Sequence, residues 1–396
     1  MIQISPETQL FIREHSSDDV RALALQAKKY PDINMPTAIT QIAGRQVAAE
    51  KIPSWREIEE IWYPKHLSLE QCSSEITARY KARLFQGDSL IDLTGGFGID
   101  CSFLATGFKS ATYVERQEEL CEIAAHNFPI LNLNHINVRN EDGVAYLQSM
   151  SPIDCIFLDP ARRNEHGGKT VAISDCEPNV AELEDLLLSK ANRIMIKLSP
   201  MLDLSLALKE LKHTQEVHIL SVNNECKELL ILLGQTSPTE IAIHCVNLLT
   251  KGSQEEQHLV FTREQEQRSQ CTYTDSLGDY LYEPNASLLK AGAFRSIAAA
   301  YPVRKLHPNS HLYTSDSFIE NFPGRIFRIV NQCSFNKKEV KENLADLKKA
   351  NVTVRNFPAT VAELRKRLHL TEGGDTYLFA STLNNGQKVI IRCEKV

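Results

Sequence analysis

The chain has 396 residues, more than one ordinary core organises, so two or three domains are expected. Hydrophobic residues make up 42% and charged residues 24%, which fits a globular protein; no apolar run reaches 18 residues, so no membrane-spanning helix is expected. Met1-Ile2-Gln3-Ile4-Ser5-Pro6 lacks a basic region followed by an apolar stretch, and the ten cysteines fall singly with no Cys-x-x-Cys pair. No secretory leader, disulfide framework, metal site or redox motif is therefore expected, and a reducing cytoplasm fits.

The net charge of −6 conceals an asymmetry. Residues 325–396 hold 14 Lys and Arg against 7 Asp and Glu, whereas the rest holds 30 against 43. A basic C-terminal module on an acidic body suits a polyanionic partner such as RNA, although lysine-rich helix faces are also common as merely solvated surface.

In chain order, residues 1–86 read as helical. Ser17 is a candidate cap for a helix through Val20, Leu23, Ala24 and Ala27 that Pro31 stops. A second stretch follows Pro36 and ends before Pro53. A third opens at Ser68, with Gln71 as a possible capping-box partner, and runs through Ile76, Tyr80 and Leu84 to Gly87. The pattern then changes to alternating strands and helices. Strands are expected at 89–93, 111–115, 136–139, 154–158, 193–198, 216–222 and 228–233, with helices at 117–127, 179–189 and 204–212. Such alternation predicts a parallel α/β sheet, and the short connection Asn223–Lys227 predicts an antiparallel hairpin at its end. Two more strands, 241–249 and 258–263, precede a helix over 286–300. The C-terminus reads as strand 325–332, helix 336–350, strand 351–356, helix 360–368 and a hairpin around Asn384-Asn385-Gly386.

The sharpest motif is Leu90-Ile91-Asp92-Leu93-Thr94-Gly95-Gly96-Phe97-Gly98-Ile99-Asp100, a buried strand running into a glycine-rich turn that opens a helix. Such a turn can cradle a dinucleotide pyrophosphate or the methionine end of S-adenosylmethionine. The third glycine of a dinucleotide fingerprint is missing, since Cys101 occupies its place. Asp92 at the strand end and Asp100 at the helix start would repel a diphosphate, whereas a carboxylate can pair with the α-ammonium of S-adenosylmethionine. Thr94, Gly95, Gly96 and Gly98 complete the candidate cofactor loop. Glu115 ends the next strand, where an acid can accept ribose hydroxyls. Asp142 can accept the adenine amino group, or cap the helix that follows it.

The fourth strand ends in Asp159-Pro160-Ala161-Arg162-Arg163. Ligands of open α/β sheets bind outside the carboxyl ends of the strands, so this block should lie beside the glycine loop. Asp159 is the candidate for orienting or deprotonating a methyl acceptor, Pro160 stiffens the turn, and Arg162 and Arg163 can hold a phosphate or a base carbonyl. Lys197 and Ser199, at the end of the fifth strand, are candidate substrate contacts. Arg365, Lys366 and Arg367, on a short helix after Thr360, are candidate RNA contacts.

Together, the loop over 92–100, the block over 159–163 and Lys197-Leu198-Ser199-Pro200 resemble class I S-adenosylmethionine-dependent methyltransferases with a C-terminal THUMP-like domain, a group associated with RNA modification. Glu70-Gln71-Cys72-Ser73-Ser74-Glu75, Val222–Leu230, Glu363–Leu368 and Gly373-Gly374 match that group too. The resemblance implies a Rossmann-like seven-stranded sheet with an N-terminal helical domain (1–86), a methyltransferase domain (87–236), a β extension with a ferredoxin-like segment (237–324) and a THUMP-like domain (325–396). It implies methylation of a base in tRNA or rRNA, with no metal. The fourth-strand block departs from the Asp/Asn-Pro-Pro-aromatic signature of exocyclic-amine methyltransferases, since Ala161 and Arg162 stand in place of the second proline and the aromatic. It is closer to the Asp-Pro-Pro-Arg blocks of guanine-N1 and pyrimidine-C5 enzymes. Carbon-5 chemistry would need a cysteine nucleophile, for which Cys226 is the candidate, though a buried structural thiol is the simpler reading. Two other functions remain open on sequence: a methyltransferase acting on a small molecule or protein, and a non-catalytic RNA-binding protein on the same fold.

Overall fold

The computed structural model describes residues 4–162, 172–251 and 256–396. The chain forms two compact units, one of residues up to Gln215 with Leu230–Pro238, the other of Glu216–Leu229 with Thr239–Val396.

The first unit begins with helices Pro6–Glu14, Val20–Leu25, Met35–Lys51, Pro53–Arg56, His66–Gln71 and Glu75–Leu84. Two start signals differ from the sequence reading. Asp19, not Ser17, caps the helix at Val20, accepting from the amides of Arg21 and Ala22. The stretch expected to run unbroken from Ser68 is two helices, because the backbone of Cys72 and Ser74 is extended. A polar Cys-Ser-Ser segment loses little by leaving the helix, since these side chains compete for backbone hydrogen bonds. The break matters because it releases Ser73 to point inward.

Five parallel strands follow: β1 (Gly87–Asp92), β2 (Phe108–Glu115), β3 (Ile136–Asn140), β4 (Ile153–Leu158) and β5 (Ala191–Leu198), ordered β3-β2-β1-β4-β5. Burial on both faces explains their near-continuous apolar runs. The N-terminal helices pack on the first βα turn: Ala48, Ile52, Trp55, Ile61, Tyr63 and Ala78 share one core with Phe97, Ile99 and Ile123. Trp55 meets Phe97 edge-on at 5.5 Å.

Two further strands, β6 (Thr214–Val222) and β7 (Glu225–Gly234), form the expected hairpin. Its turn uses Asn223 and Asn224 at φ 48° and 70°, left-handed geometry that asparagine tolerates. The expected seven strands are thus present, with β7 between β5 and β6. In the second unit β8 (Ala242–Leu248) pairs parallel with β6, and β9 (Glu256–Phe261) pairs antiparallel with β8.

A second sheet lies wholly in the second unit. Its strands are β10 (Tyr280–Pro284), β11 (Arg304–Lys305), β12 (Tyr313–Ser315), β13 (Gly324–Ser334), β14 (Asn351–Arg355), β15 (Thr376–Thr382) and β16 (Lys388–Lys395), ordered β11-β12-β10-β13-β16-β15-β14. Leu281, Leu306 and Leu312 share a core with Phe327, Phe379 and Ile391. The helix expected over 286–300 is interrupted, since Gly292 takes φ 76° and ends Ala286–Ala291 before Phe294–Ala300 begins. The helix expected over 336–350 ends at Leu344, so Lys348 and Lys349 lie beyond it. Helix Val361–Leu368 has the expected Thr360 cap, closed into a capping box by Glu363. Among the described residues no helix is long and apolar enough to cross a membrane.

Candidate active site

The carboxyl ends of β1, β2, β4 and β5 bring most of the sequence candidates together. After β1 the chain turns through Thr94–Gly98. Gly96 and Gly98 have φ 53° and 87°, and a Cβ on Gly95 would sit 2.3 Å from the Tyr113 ring. The turn is held from β2: the Tyr113 hydroxyl donates to the Gly96 carbonyl, and the Gly96 amide donates to Glu115 Oε2 at 2.9 Å. Glu115 Oε1 accepts from the Gln117 amide. Each carboxylate oxygen keeps a second lone pair, so Glu115 can still accept hydroxyl donors. From β4, the Asp159 amide donates to Thr94 Oγ1 at 2.6 Å, fastening the two loops together.

Asp92 is buried and accepts from the Thr94 amide at 3.0 Å. Burial pushes its carboxyl up to about 8, against that hydrogen bond; Asp100 and Asp159 add to the rise and Lys197 opposes it.

Beside it lies a buried ionic cluster built from four segments. Asp100 pairs with Lys81 at 2.9 Å and with Lys197 at 3.1 Å. Lys197 also pairs with Asp159 at 2.6 Å. Ser73 sits at the centre: its hydroxyl donates to Asp100 at 2.7 Å and accepts from Lys81 and Lys197, each at 2.9 Å. The two lysines hold the Asp100 carboxyl well below the usual carboxylate range against the opposing effect of burial. Asp159 moves upward, because burial outweighs the pull of Lys197. Asp159 alone of the cluster's acids keeps substantial exposure, 38% of its side chain.

The remaining candidates divide. Lys197 spends three N–H donors on Ser73, Asp100 and Asp159, the full complement of an ammonium. Ser199 accepts from the Met201 amide. Asp142 caps helix Gly143–Ser149 through Oδ1, accepting from Val144 and Ala145. Pro160 is buried and Arg162 follows in a two-residue strand, but the Arg162 side chain and all of Arg163 lie outside the described residues. Arg365, Lys366 and Arg367 point three ways from one helix. Arg365 pairs with Glu372, Arg367 lies 4.2 Å over the Phe335 ring, and Lys366 is exposed. The Cys226 thiol is pushed up by burial, the opposite of nucleophile activation. Sequence reasoning singled out neither Ser73 as a site residue nor Lys81 at all.

Residues 280–323 match a ferredoxin-like domain family and residues 324–395 a THUMP domain-like family. No curated protein matches the chain. A crystal structure from Porphyromonas gingivalis W83, described as that of a candidate methyltransferase, is 34% identical over 100% of both chains, with a TM-score of 0.87. Two further structures align at TM-scores too low to speak for a shared fold. An rRNA methylase from Streptococcus thermophilus has a TM-score of 0.29 and 15% identity over 40% of this chain and 93% of its own. TrmK from M. capricolum, solved with S-adenosylhomocysteine, has 0.32 and 13% over 41% and 68%. The full-length match, with the two domain matches and the glycine turn between β1 and β2, places the chain: it belongs to the class I S-adenosylmethionine-dependent methyltransferases that carry a C-terminal THUMP-like domain.

Proposed function

We propose that the chain binds S-adenosylmethionine at the ends of β1 and β2 and transfers its methyl group to a base in tRNA or rRNA. The observation that carries the reading is the glycine turn clasped by Glu115 and joined through Thr94 to Asp159, which sets a ribose acceptor and an acceptor-facing carboxylate on two sides of one loop. Gly96 leaves the backbone bare for the amino-acid moiety, while Gly95 and Gly98 shape the turn by making room for Tyr113 and Phe128; Asp92 faces the ammonium, and Glu115 takes the ribose hydroxyls. Asp142 is assigned to the adenine edge, which its second oxygen can accept from while Oδ1 caps the helix. Asp100 supports the site through Lys197 rather than by touching the ligand.

S-adenosylmethionine supplies an electrophilic methyl on a sulfonium sulfur. Displacement needs the acceptor held in line and a place for its proton. Asp159, with Pro160 stiffening its turn, does both: Lys197 and Thr94 fix its position, and its raised basicity suits it to take a proton from a ring nitrogen. Lys197 is thus a positioning residue. Ser199, Arg162 and Arg163 are assigned to the substrate side. RNA is the favoured substrate because of the C-terminal module. Arg367 of helix Val361–Leu368 lies over the ring of Phe335, two residues before helix Lys337–Leu344, and Lys366, Lys337, Lys338 and Lys341 on these two helices are all exposed.

The test is nucleoside mass spectrometry of RNA from a strain lacking the gene, followed by methyl transfer to that RNA with the purified chain. Loss of one methylated nucleoside, restored by the wild type and not by Asp159→Ala, is expected. An unchanged RNA profile, with transfer to a small molecule instead, would overturn the RNA assignment.

A further inference from the structure

Three of the chain's twelve histidines gather on one patch of the first sheet, within the second unit. The parallel pairing of β6 and β8 sets His218 beside His244, and the antiparallel pairing of β8 and β9 sets His258 opposite Val246, one diagonal step from His244. Period-two alternation puts Glu216 on the same face as His218. Both imidazoles converge on this carboxylate: Glu216 Oε2 lies 3.2 Å from His218 Nε2 and 3.9 Å from His244 Nε2. The ligand atoms of Glu216, His218 and His244 all lie within 4.8 Å of one another, the one such group among the described residues. The other ring nitrogen of His244, Nδ1, lies 3.2 Å from His258 Nε2.

We propose that Glu216, His218 and His244 form a zinc site, with His258 as the hydrogen-bond partner of the other ring nitrogen of His244. A tetrahedral zinc with ligands at about 2.0–2.1 Å spaces its ligand atoms about 3.3–3.4 Å apart. The Glu216–His218 edge, at 3.2 Å, has that spacing already, and the Glu216–His244 edge, at 3.9 Å, must shorten by about 0.5 Å. The donor set, two imidazoles and a carboxylate, is one that zinc takes readily, and three protein ligands leave a fourth position open to water or a ligand. His244 also presents one ring nitrogen toward Glu216 and the other toward a second side chain, His258.

The rings of His218 and His244 stack at 4.3 Å with planes 15° apart, so they cannot both hold a metal in plane as they stand. One ring must turn about χ2. His244, with 21% of its side chain exposed against 2% for His218, has the room, and its exposed partner His258 must move with it to keep their contact. The bound metal would tie β6 to β8 directly and, through His258, would brace the edge strand β9. The ligands come from two strands, β6 and β8, that lie far apart in sequence, so no Cys-x-x-Cys-like local spacing announces them, which is why the absence of such a pair led to an expectation of no metal.

The experiment is titration of the chelator-treated full-length chain with Co²⁺, read by visible absorption, with Zn²⁺ competition and thermal melting alongside. One equivalent of Co²⁺ should develop tetrahedral d–d bands that Zn²⁺ abolishes, and Zn²⁺ should raise Tm by preferential binding to the folded state. The bands should be lost in His244→Gln and in Glu216→Gln, each shown to be folded by circular dichroism. The partly exposed positions of both residues make folded variants attainable. Absence of the bands together with an unmoved Tm in the wild type overturns the site. Bands that persist in both variants, as from binding at the free cysteines, overturn it equally.

Discussion

Asp92 is the residue whose chemistry the fold alters most. A carboxyl buried at a strand end is held near 8, so it is largely protonated at neutral pH in the free protein. A ligand ammonium requires the ionised form, and an α-amino group itself titrates at about 7.7–8.0. Affinity for S-adenosylmethionine should therefore peak near pH 8 and fall toward both lower and higher pH, with proton uptake or release visible as a buffer dependence of the calorimetric heat; Asp92→Asn should bind weakly and lose the acid limb. A flat affinity between pH 6 and 8 would show that Asp92 does not face a cation. The same shift has a sign for stability. A carboxyl raised from 3.8 to about 8 is favoured in its protonated form by the folded state, so its contribution is intact below about pH 4 and is lost progressively up to pH 8. Asp92→Asn, which cannot ionise, should melt higher than the wild type, by a margin that widens from pH 4 to 8 and then levels. Lys81 poses the opposite case. It is fully buried against Asp100 and Ser73, and Lys81→Met should cost about 3–5 kcal/mol in urea unfolding, because the acid left behind loses one of its two cations. A loss below about 1 kcal/mol would mean Lys197 alone satisfies Asp100.

At the scale of elements, the glycine turn separates two kinds of damage. Gly95→Ala places a methyl against Tyr113 at 2.3 Å and should destabilise the fold. At Gly96 a Cβ meets nothing nearer than 3.8 Å, so Gly96→Val costs mainly left-handed backbone strain of about 1–2 kcal/mol while placing bulk on the cofactor side of the turn. Gly96→Val should stay folded with S-adenosylmethionine affinity reduced more than 100-fold; near-normal affinity in the folded variant would remove the turn from the site. This turn was legible in the sequence because strand, glycines and helix start are contiguous, and Glu115 and Asp159 were legible because parallel-sheet geometry brings successive strand ends to one side. Ser73 and Lys81 were not. Their partner Asp100 is 19 or more residues away, and the helix break at 72–74 that turns Ser73 inward carries no glycine or proline to mark it. The split at Gly292 does carry a glycine to mark it, but the apolar pattern continues through that left-handed residue and hid the break. Lys197 was read as a substrate contact from its position, and only the geometry shows its donors consumed by Ser73, Asp100 and Asp159.

For the whole molecule, the charge asymmetry in the sequence locates the expected polyanion contact but does not mark a place to cut. The strands after residue 324 share one sheet and one core with Leu281, Leu306 and Leu312, so deleting 325–396 would expose that core. Charge reversal in the full chain is the cleaner probe. Lys337→Glu, Lys338→Glu, Lys341→Glu and Lys366→Glu together should weaken RNA binding at least tenfold and flatten its salt dependence, with S-adenosylmethionine affinity and Tm little changed. Unaltered RNA affinity would mean these lysines only solvate their helices. The central claim, a cofactor site at the ends of β1 and β2, is tested most directly by calorimetric titration of S-adenosylmethionine into the full-length wild type and Gly96→Val, with folding of both confirmed by melting. Saturable one-to-one binding to the wild type and none to the folded variant is the expected result; no binding to the wild type, or equal binding to both, would contradict it.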